Sequence, residues 1–215
     1  MTSDLLGCVQ RQLATIRDRG LCADPVYRTR MSRPPVPADE ISHVEREHGV
    51  RLPSGYRDFL TTCGLPEFSP GQELFLPTDR HPLVPSDGGH DVIDLTAEFP
   101  FTDAWDDDEV YNAVEEQAPD LDDRLERYFS TSWVRGSMPL LDLGCGDLLL
   151  LVLNGPERGT VWFDGRANWS GIFPLTLSRQ SQNSAPEQPR LTFLEFYSAW
   201  LGEVINGVPR VEQFI

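Results

Sequence analysis

Helices at both ends of the chain and a group of strands between them predict a mixed α and β fold. Three observations carry that prediction. A length of 215 residues suits one domain, or at most two small ones. Apolar residues recur at helical spacing near both termini, and short β-rich runs bounded by turn residues fill the stretch after residue 140. With 40% hydrophobic and 24% charged residues the chain can bury a core, which argues against wholesale disorder.

Taken in order, residues 3–18 set Leu5, Leu6, Val9, Leu13 and Ile16 on one helical face, with Ser3 as the expected N-cap. Pro34, Pro35 and Pro37 make residues 28–37 an extended connector. A second helix over 38–48 turns Ile41 and Val44 inward and stops at Gly49. Leu52-Pro53 then breaks the chain before a third helix over 54–62. Its Tyr56, Phe59, Leu60 and Cys63 form a core-facing stripe, and Gly64 supplies its stop.

Residues 64–104 are rich in Pro and Gly, and predict loops with one or two short strands from pieces such as Leu74-Phe75-Leu76 and Val92-Ile93. Helical segments around 110–117 and 121–129 are separated by Pro119. Residues 148–153, an Asn154-Gly155 turn and residues 160–163 read as a hairpin whose first strand is buried on both faces. Residues 172–177 form a third strand, and the polar stretch 178–190, with Pro186 and Pro189, a loop. The last helix has the clearest start. Thr192 and Glu195 form a capping box, and Leu191 with Phe196 fits the accompanying hydrophobic staple. The wide apolar face that follows, Phe193 to Val204, reads as core rather than as a cofactor box.

Thirty-four acids oppose 18 bases, every one an arginine, for a formal net charge of -16. That sign argues against nucleic acid or an anionic membrane as the partner, since each needs a positive face. The longest apolar run is too short to span a bilayer. Asp4 and three arginines within the first 19 residues leave no signal peptide visible. Cys8, Cys22, Cys63 and Cys145 are scattered without paired spacing, as expected for reduced thiols in a cytoplasmic protein.

Several stretches imitate catalytic or metal motifs. Leu141-Asp142-Leu143-Gly144-Cys145-Gly146-Asp147 resembles the glycine loop of S-adenosylmethionine-dependent methyltransferases. There a helix follows the loop, whereas here Leu148 stands at the third glycine position and a strand-forming run follows. A tight turn into a buried strand is the simpler reading. His43 and His48 sit five apart, roughly 140° around a helix, and so cannot share a metal. His81 and His90 beside Asp87 and Asp91 have no specific ligand spacing, and residues 106–109 lack the alternation and glycine of a calcium loop. No metal, no cofactor and no catalytic residue is expected.

The charge is unevenly placed. Between Ser86 and Glu126 fifteen acids meet the single base Arg124, so nearly all the net charge lies in one segment. A solvated face explains excess charge but not such concentration, because like charges repel unless something positive meets them. Phe101, Trp105 and Tyr111 are interleaved there, an interface-like composition. The expected contact residues for a basic macromolecular partner are Trp105, Asp106, Asp107, Asp108, Glu109 and Tyr111.

The run Pro37-Ala38-Asp39-Glu40-Ile41, Val44-Glu45, Gly49, Leu52-Pro53, Tyr56-Arg57, Phe59-Leu60 and Cys63-Gly64 resembles the N-terminal signature of the SUKH superfamily, the Smi/Knr-type domain. Gly136 and Pro139 before Gly144-Cys145-Gly146-Asp147 are similar to its central strand entry. Gly159-Thr160-Val161-Trp162 and residues 193–201 are similar to its later strand and closing helix. The resemblance runs in order from about residue 34 to 205, with Cys63 in place of the usual Asn. It implies an α+β domain over 34–215, with a curved, mainly antiparallel sheet flanked by helices and an acidic insert at 86–126. Residues 1–33 precede it as a helix and connector.

Bacterial members of that family include immunity proteins that bind polymorphic toxins, while fungal relatives are cell-wall and signalling regulators. The leading expectation is therefore a non-enzymatic immunity protein that occludes the cleft of a basic, nuclease-like toxin domain. The alternatives are a regulatory or scaffold protein binding an endogenous partner, and, from another class, an enzyme.

Overall fold

The computed structural model describes residues 2–21, 34–64, 67–69, 72–73, 93–177 and 189–207. Its centre is an open four-stranded sheet. β3 (Ser137–Gly144), β4 (Asp147–Val152), β5 (Val161–Asp164) and β6 (Ile172–Pro174) lie in sequence order, each antiparallel to the next. Trp105 extends the sheet past β6 by a single bridge, exchanging backbone hydrogen bonds of 2.8 and 2.7 Å with Ile172. A separate two-stranded ribbon pairs β1 (Glu67–Ser69) with β2 (Gln72–Glu73).

The two-residue period of a strand divides the sheet's side chains between two layers. Leu149, Leu151, Leu153, Val161 and Phe163 enter the larger hydrophobic cluster. Leu148, Leu150, Val152 and Trp162 enter the smaller one. Both layers are covered, which is why residues 148–153 carry an unbroken apolar run. A bulge between Pro139 and Leu141 leaves Leu140 without a partner in the register, so Leu140 and Leu141 both join the larger cluster.

Helices roof the larger cluster. α1 (Thr2–Asp18) contributes Val9, Leu13 and Ile16, α2 (Ala38–Glu47) Ile41, and α3 (Ser54–Cys63) Tyr56, Phe59 and Leu60. α6 (Phe193–Ile205) adds Phe193, Phe196, Tyr197, Trp200, Leu201 and Val204. Fully burying each such side chain is worth about 1.5–3 kcal/mol. α1 is tied to α6 through Gln12, which donates to the Ser198 carbonyl at 2.9 Å. The capping box of α6 forms as its sequence predicts, with the Thr192 amide donating to Glu195 Oε2 at 2.9 Å.

The smaller cluster is roofed by irregular chain rather than by helices. Phe99, Phe101 and Val134 are buried on it, with Ile93, Trp105 and Trp133 packed at its margin. Beyond it lie α4 (Asp108–Glu116) and α5 (Leu121–Tyr128). Gly136 makes the close approach possible. Its φ is +70°, and a Cβ there would stand 2.4 Å from the Ala97 carbonyl oxygen.

Two expectations are corrected. α1 begins at Thr2, so Ser3 lies in its first turn instead of capping it. The expected hairpin of residues 148–153 and 160–163 forms, since β4 and β5 pair antiparallel with Leu151 opposite Val161. Asn154 is committed elsewhere: its side chain donates to the Leu95 carbonyl at 2.6 Å and its own carbonyl accepts from the Phe99 amide at 3.2 Å. A tighter hairpin, β3–β4, precedes it, turning as expected through Gly144, Cys145 and Gly146, all at positive φ. The third strand is also shorter than expected, ending at Pro174. Leu74-Phe75-Leu76, Val92, His81 and His90 fall outside the described residues, as does most of the expected loop at 178–190. Among the described residues no helix is long and apolar enough to cross a membrane.

Candidate partner-binding site

From residue 93 on, the acid-rich segment folds into a loop, α4 and α5, and the short 3-10 turn Thr131–Val134 follows. Several of its carboxylates serve local structure. Asp107 caps α4, its Oδ1 accepting from the amides of Glu109 at 3.1 Å and Val110 at 3.3 Å. Asp106 Oδ1 accepts from the Asp107 amide at 2.9 Å and from the Tyr128 hydroxyl at 3.2 Å. The Thr96 hydroxyl and amide hold Asp94 below the usual carboxylate range, and the bond from Arg124 does the same for Asp120. Asp108, Glu109, Glu115, Glu116, Asp122, Asp123 and Glu126 are exposed to solvent. Asp108 and Glu109 stand in the first turn of α4, where the helix dipole favours negative charge.

The two aromatic residues expected at the interface have different surroundings. Trp105 is half-buried, with Trp133 stacked at 4.6 Å, Phe101 stacked at 5.5 Å and Tyr128 tilted at 5.6 Å between ring centres. Tyr111, on α4, is 49% exposed and meets the ring of Trp169 edge-on at 6.5 Å.

Trp169 and Phe129 were not foreseen. Trp169 is 37% exposed, stacks on Tyr128 at 5.6 Å and lies 6.1 Å from Phe129, itself 45% exposed at the end of α5. A row of rings therefore runs outward from buried Trp162 through Phe101, Trp105, Tyr128 and Trp169 to Tyr111. The available signal was a tryptophan in a polar segment between Gly165 and Gly171, where no helix or strand period exists to bury it.

A buried ion pair fixes the loop that carries Trp169. Arg166 donates to both carboxylate oxygens of Asp164 at 2.8 and 2.7 Å, and to the carbonyls of Tyr128 at 2.7 Å and Ser130 at 3.0 Å. One guanidinium thus joins the end of β5, the 165–171 loop and the end of α5. The loop closes on itself through Gly165 N–H to Gly171 O at 2.8 Å and Ser170 N–H to Gly165 O at 3.0 Å. Trp169 sits in the left-handed region, φ 60°, which costs a bulky residue about 1–2 kcal/mol.

On another face, an open groove is lined by Arg46, Arg51, Arg57 and Arg158. Three of these guanidinia are engaged internally, Arg46 by a 3.1 Å bond to the Ser42 carbonyl. Arg57 pairs with Glu45, whose other oxygen accepts from the Leu52 amide at 2.9 Å, and Arg158 donates to the carbonyls of Arg51 and Leu52 at 2.8 and 3.0 Å. They brace the Leu52-Pro53 break. Cys8, Cys63 and Cys145 are free thiols, and burial pushes Cys63 up to about 11. Among the described residues no group of three or more His, Cys, Asp or Glu is placed to hold a metal ion.

The pattern from α2 to β6, with Glu45 braced on Arg57 and Leu52-Pro53 opening α3, matches the model of the SMI1 / KNR4 family (SUKH-1) over residues 35–175. The chain belongs to this family. Neither a curated protein nor a solved structure matches it. Within the SUKH-1 match Ile41, Val44, Leu52, Tyr56, Phe59 and Leu60 are all buried, so these signature residues maintain the fold. The match also spans α4, α5 and the Trp169 loop, whereas α1 and α6 lie outside it.

Proposed function

We propose that this SUKH-1 protein is an immunity protein that binds a basic, nuclease-like toxin domain and neutralises it by covering its cationic cleft. Family membership supports a protein-binding role. The observation that carries the reading is the coincidence, on one side of the molecule, of seven exposed carboxylates on α4 and α5 with exposed aromatics. The carboxylates accelerate encounter and reject anionic competitors, and the aromatics exclude water once docked. No bond is made or broken by the immunity protein itself; inhibition is stoichiometric.

The test is co-expression with the product of the neighbouring gene, assayed for toxicity and read as growth rescue, followed by association kinetics. Replacing Asp108, Glu109, Glu115 and Glu116 with Asn and Gln leaves the Asp107 cap in place. Association should then slow about tenfold at low salt and lose most of its salt dependence. An unchanged on-rate removes these carboxylates from the mechanism.

A further inference from the structure

We propose that Trp169, Tyr111 and Phe129 form the recognition centre of this surface and seat an arginine side chain of a cationic protein. This deepens the immunity reading and rests on it only in taking the partner to be a basic protein.

Among the described residues four large hydrophobics are exposed, and three of them are these. Single exposed apolar residues are ordinary, but three joined by ring contacts, with Trp169 meeting both Tyr111 and Phe129, are not. They come from α4, the end of α5 and the 165–171 loop, so no single amphipathic helix produces the group. The fold assembles it, and the Asp164–Arg166 pair holds two of its three pieces in register.

The occupant follows from chemistry the row of rings already uses. At its inner end the guanidinium of Arg190 lies over Trp162, 5.7 Å from the ring centre, with carboxylates of Glu157 and Asp103 beside it. At the outer end the same elements recur: ring surface on Trp169 and Tyr111, with carboxylates near by. Asp108 and Glu115 lie three and four residues from Tyr111, on its side of α4, and Glu126 lies three before Phe129. Among the described residues no arginine covers Trp169 or Tyr111. Of the two bases on α5, Arg124 is bonded to Asp120 at 2.9 Å and Arg127 lies in its last turn. A guanidinium satisfies rings and carboxylates together. A second copy of this chain would bring like charge against like charge.

The experiment titrates the full chain with a hexa-arginine peptide and follows the indole N–H resonances of its five tryptophans. The Trp169 signal is assigned by Trp169→Phe. That signal should shift saturably, while hexaglutamate leaves it unmoved. Trp169→Ala and Tyr111→Ala, which keep the net charge, should each weaken the peptide about tenfold. Tyr111→Ala, at an exposed helix position, decides the matter if Trp169→Ala disturbs its loop. Equal binding by wild type and both variants, or a concentration-dependent dimer lost in Trp169→Ala, overturns the proposal. Toxin protection that survives Trp169→Ala, Tyr111→Ala and Phe129→Ala together overturns it and leaves the immunity reading standing. Peptide capture at Trp169 without protection against any basic toxin does the reverse.

Discussion

The two faces of the sheet use aromatic residues in opposite ways. On the helix-roofed face Tyr56, Phe59, Phe193 and Tyr197 interlock edge to face at 4.7–5.0 Å, and none reaches water. On the other face the rings begin buried at Trp162 and Phe99, are half-buried at Trp105 and Trp133, and end exposed at Trp169 and Tyr111. The first face is an interior. The second is an interior that opens, so that exposed rings are continuous with the core beneath them.

Truncation should separate the faces most sharply. Phe59→Ala is expected to lower stability by about 3–5 kcal/mol, whereas Phe129→Ala should change it by less than about 1 kcal/mol. Urea unfolding of both variants measures the contrast, and equal losses would erase it. Next in size is Arg166→Ala, expected to cost about 3 kcal/mol because Asp164 would stay buried without its partner. Replacing both residues by apolar ones should recover part of that loss, which tests whether the pair adds stability or only register.

Gly171→Ala comes third. A Cβ there would stand 2.3 Å from the Trp105 carbonyl oxygen at a φ of +69°, and should cost about 2 kcal/mol by opening the Trp105–Ile172 bridge. Loss of amide-exchange protection at Ile172 would report it directly. The smallest effect is alkaline. Burial, aided by the Asp106 carboxylate, raises the Tyr128 phenol above its usual value of 10. The folded state therefore holds that proton more tightly, so the contribution is complete below pH 10 and is lost as pH rises past it. Tyr128→Phe should flatten the fall in the urea midpoint between pH 9 and 11. An equally steep fall in the variant would assign it to another group, with Cys63 titrating in the same window.

The helix-roofed face was largely legible in the sequence because its signals are local. A capping box, glycine stops and helical spacing fix α2, α3 and α6 to within a residue or so. The opening face was not. Trp105 and Tyr111 could be picked out by their place among acids, but Trp169 meets Tyr111 and Phe129 only after β5, β6 and α5 have packed. The β4–β5 hairpin was legible from its local run of strand formers, but the distant partners of its turn were not. Asn154-Gly155 has the composition of a tight turn, yet its polar groups are claimed by Leu95 and Phe99, more than fifty residues earlier.

The closure of the 165–171 loop has an evolutionary corollary. Its ends are stitched by backbone bonds and its root is clamped by one guanidinium, while positions 167–170 all face solvent. Substitutions at the tip therefore fall on the solvent side of that clamp, where the side-chain ties to the body are the Asn168–Asp147 bond at 2.8 Å and the stacking of Trp169 on Tyr128. Drift at these exposed positions can thus change what the surface presents while the same scaffold is kept.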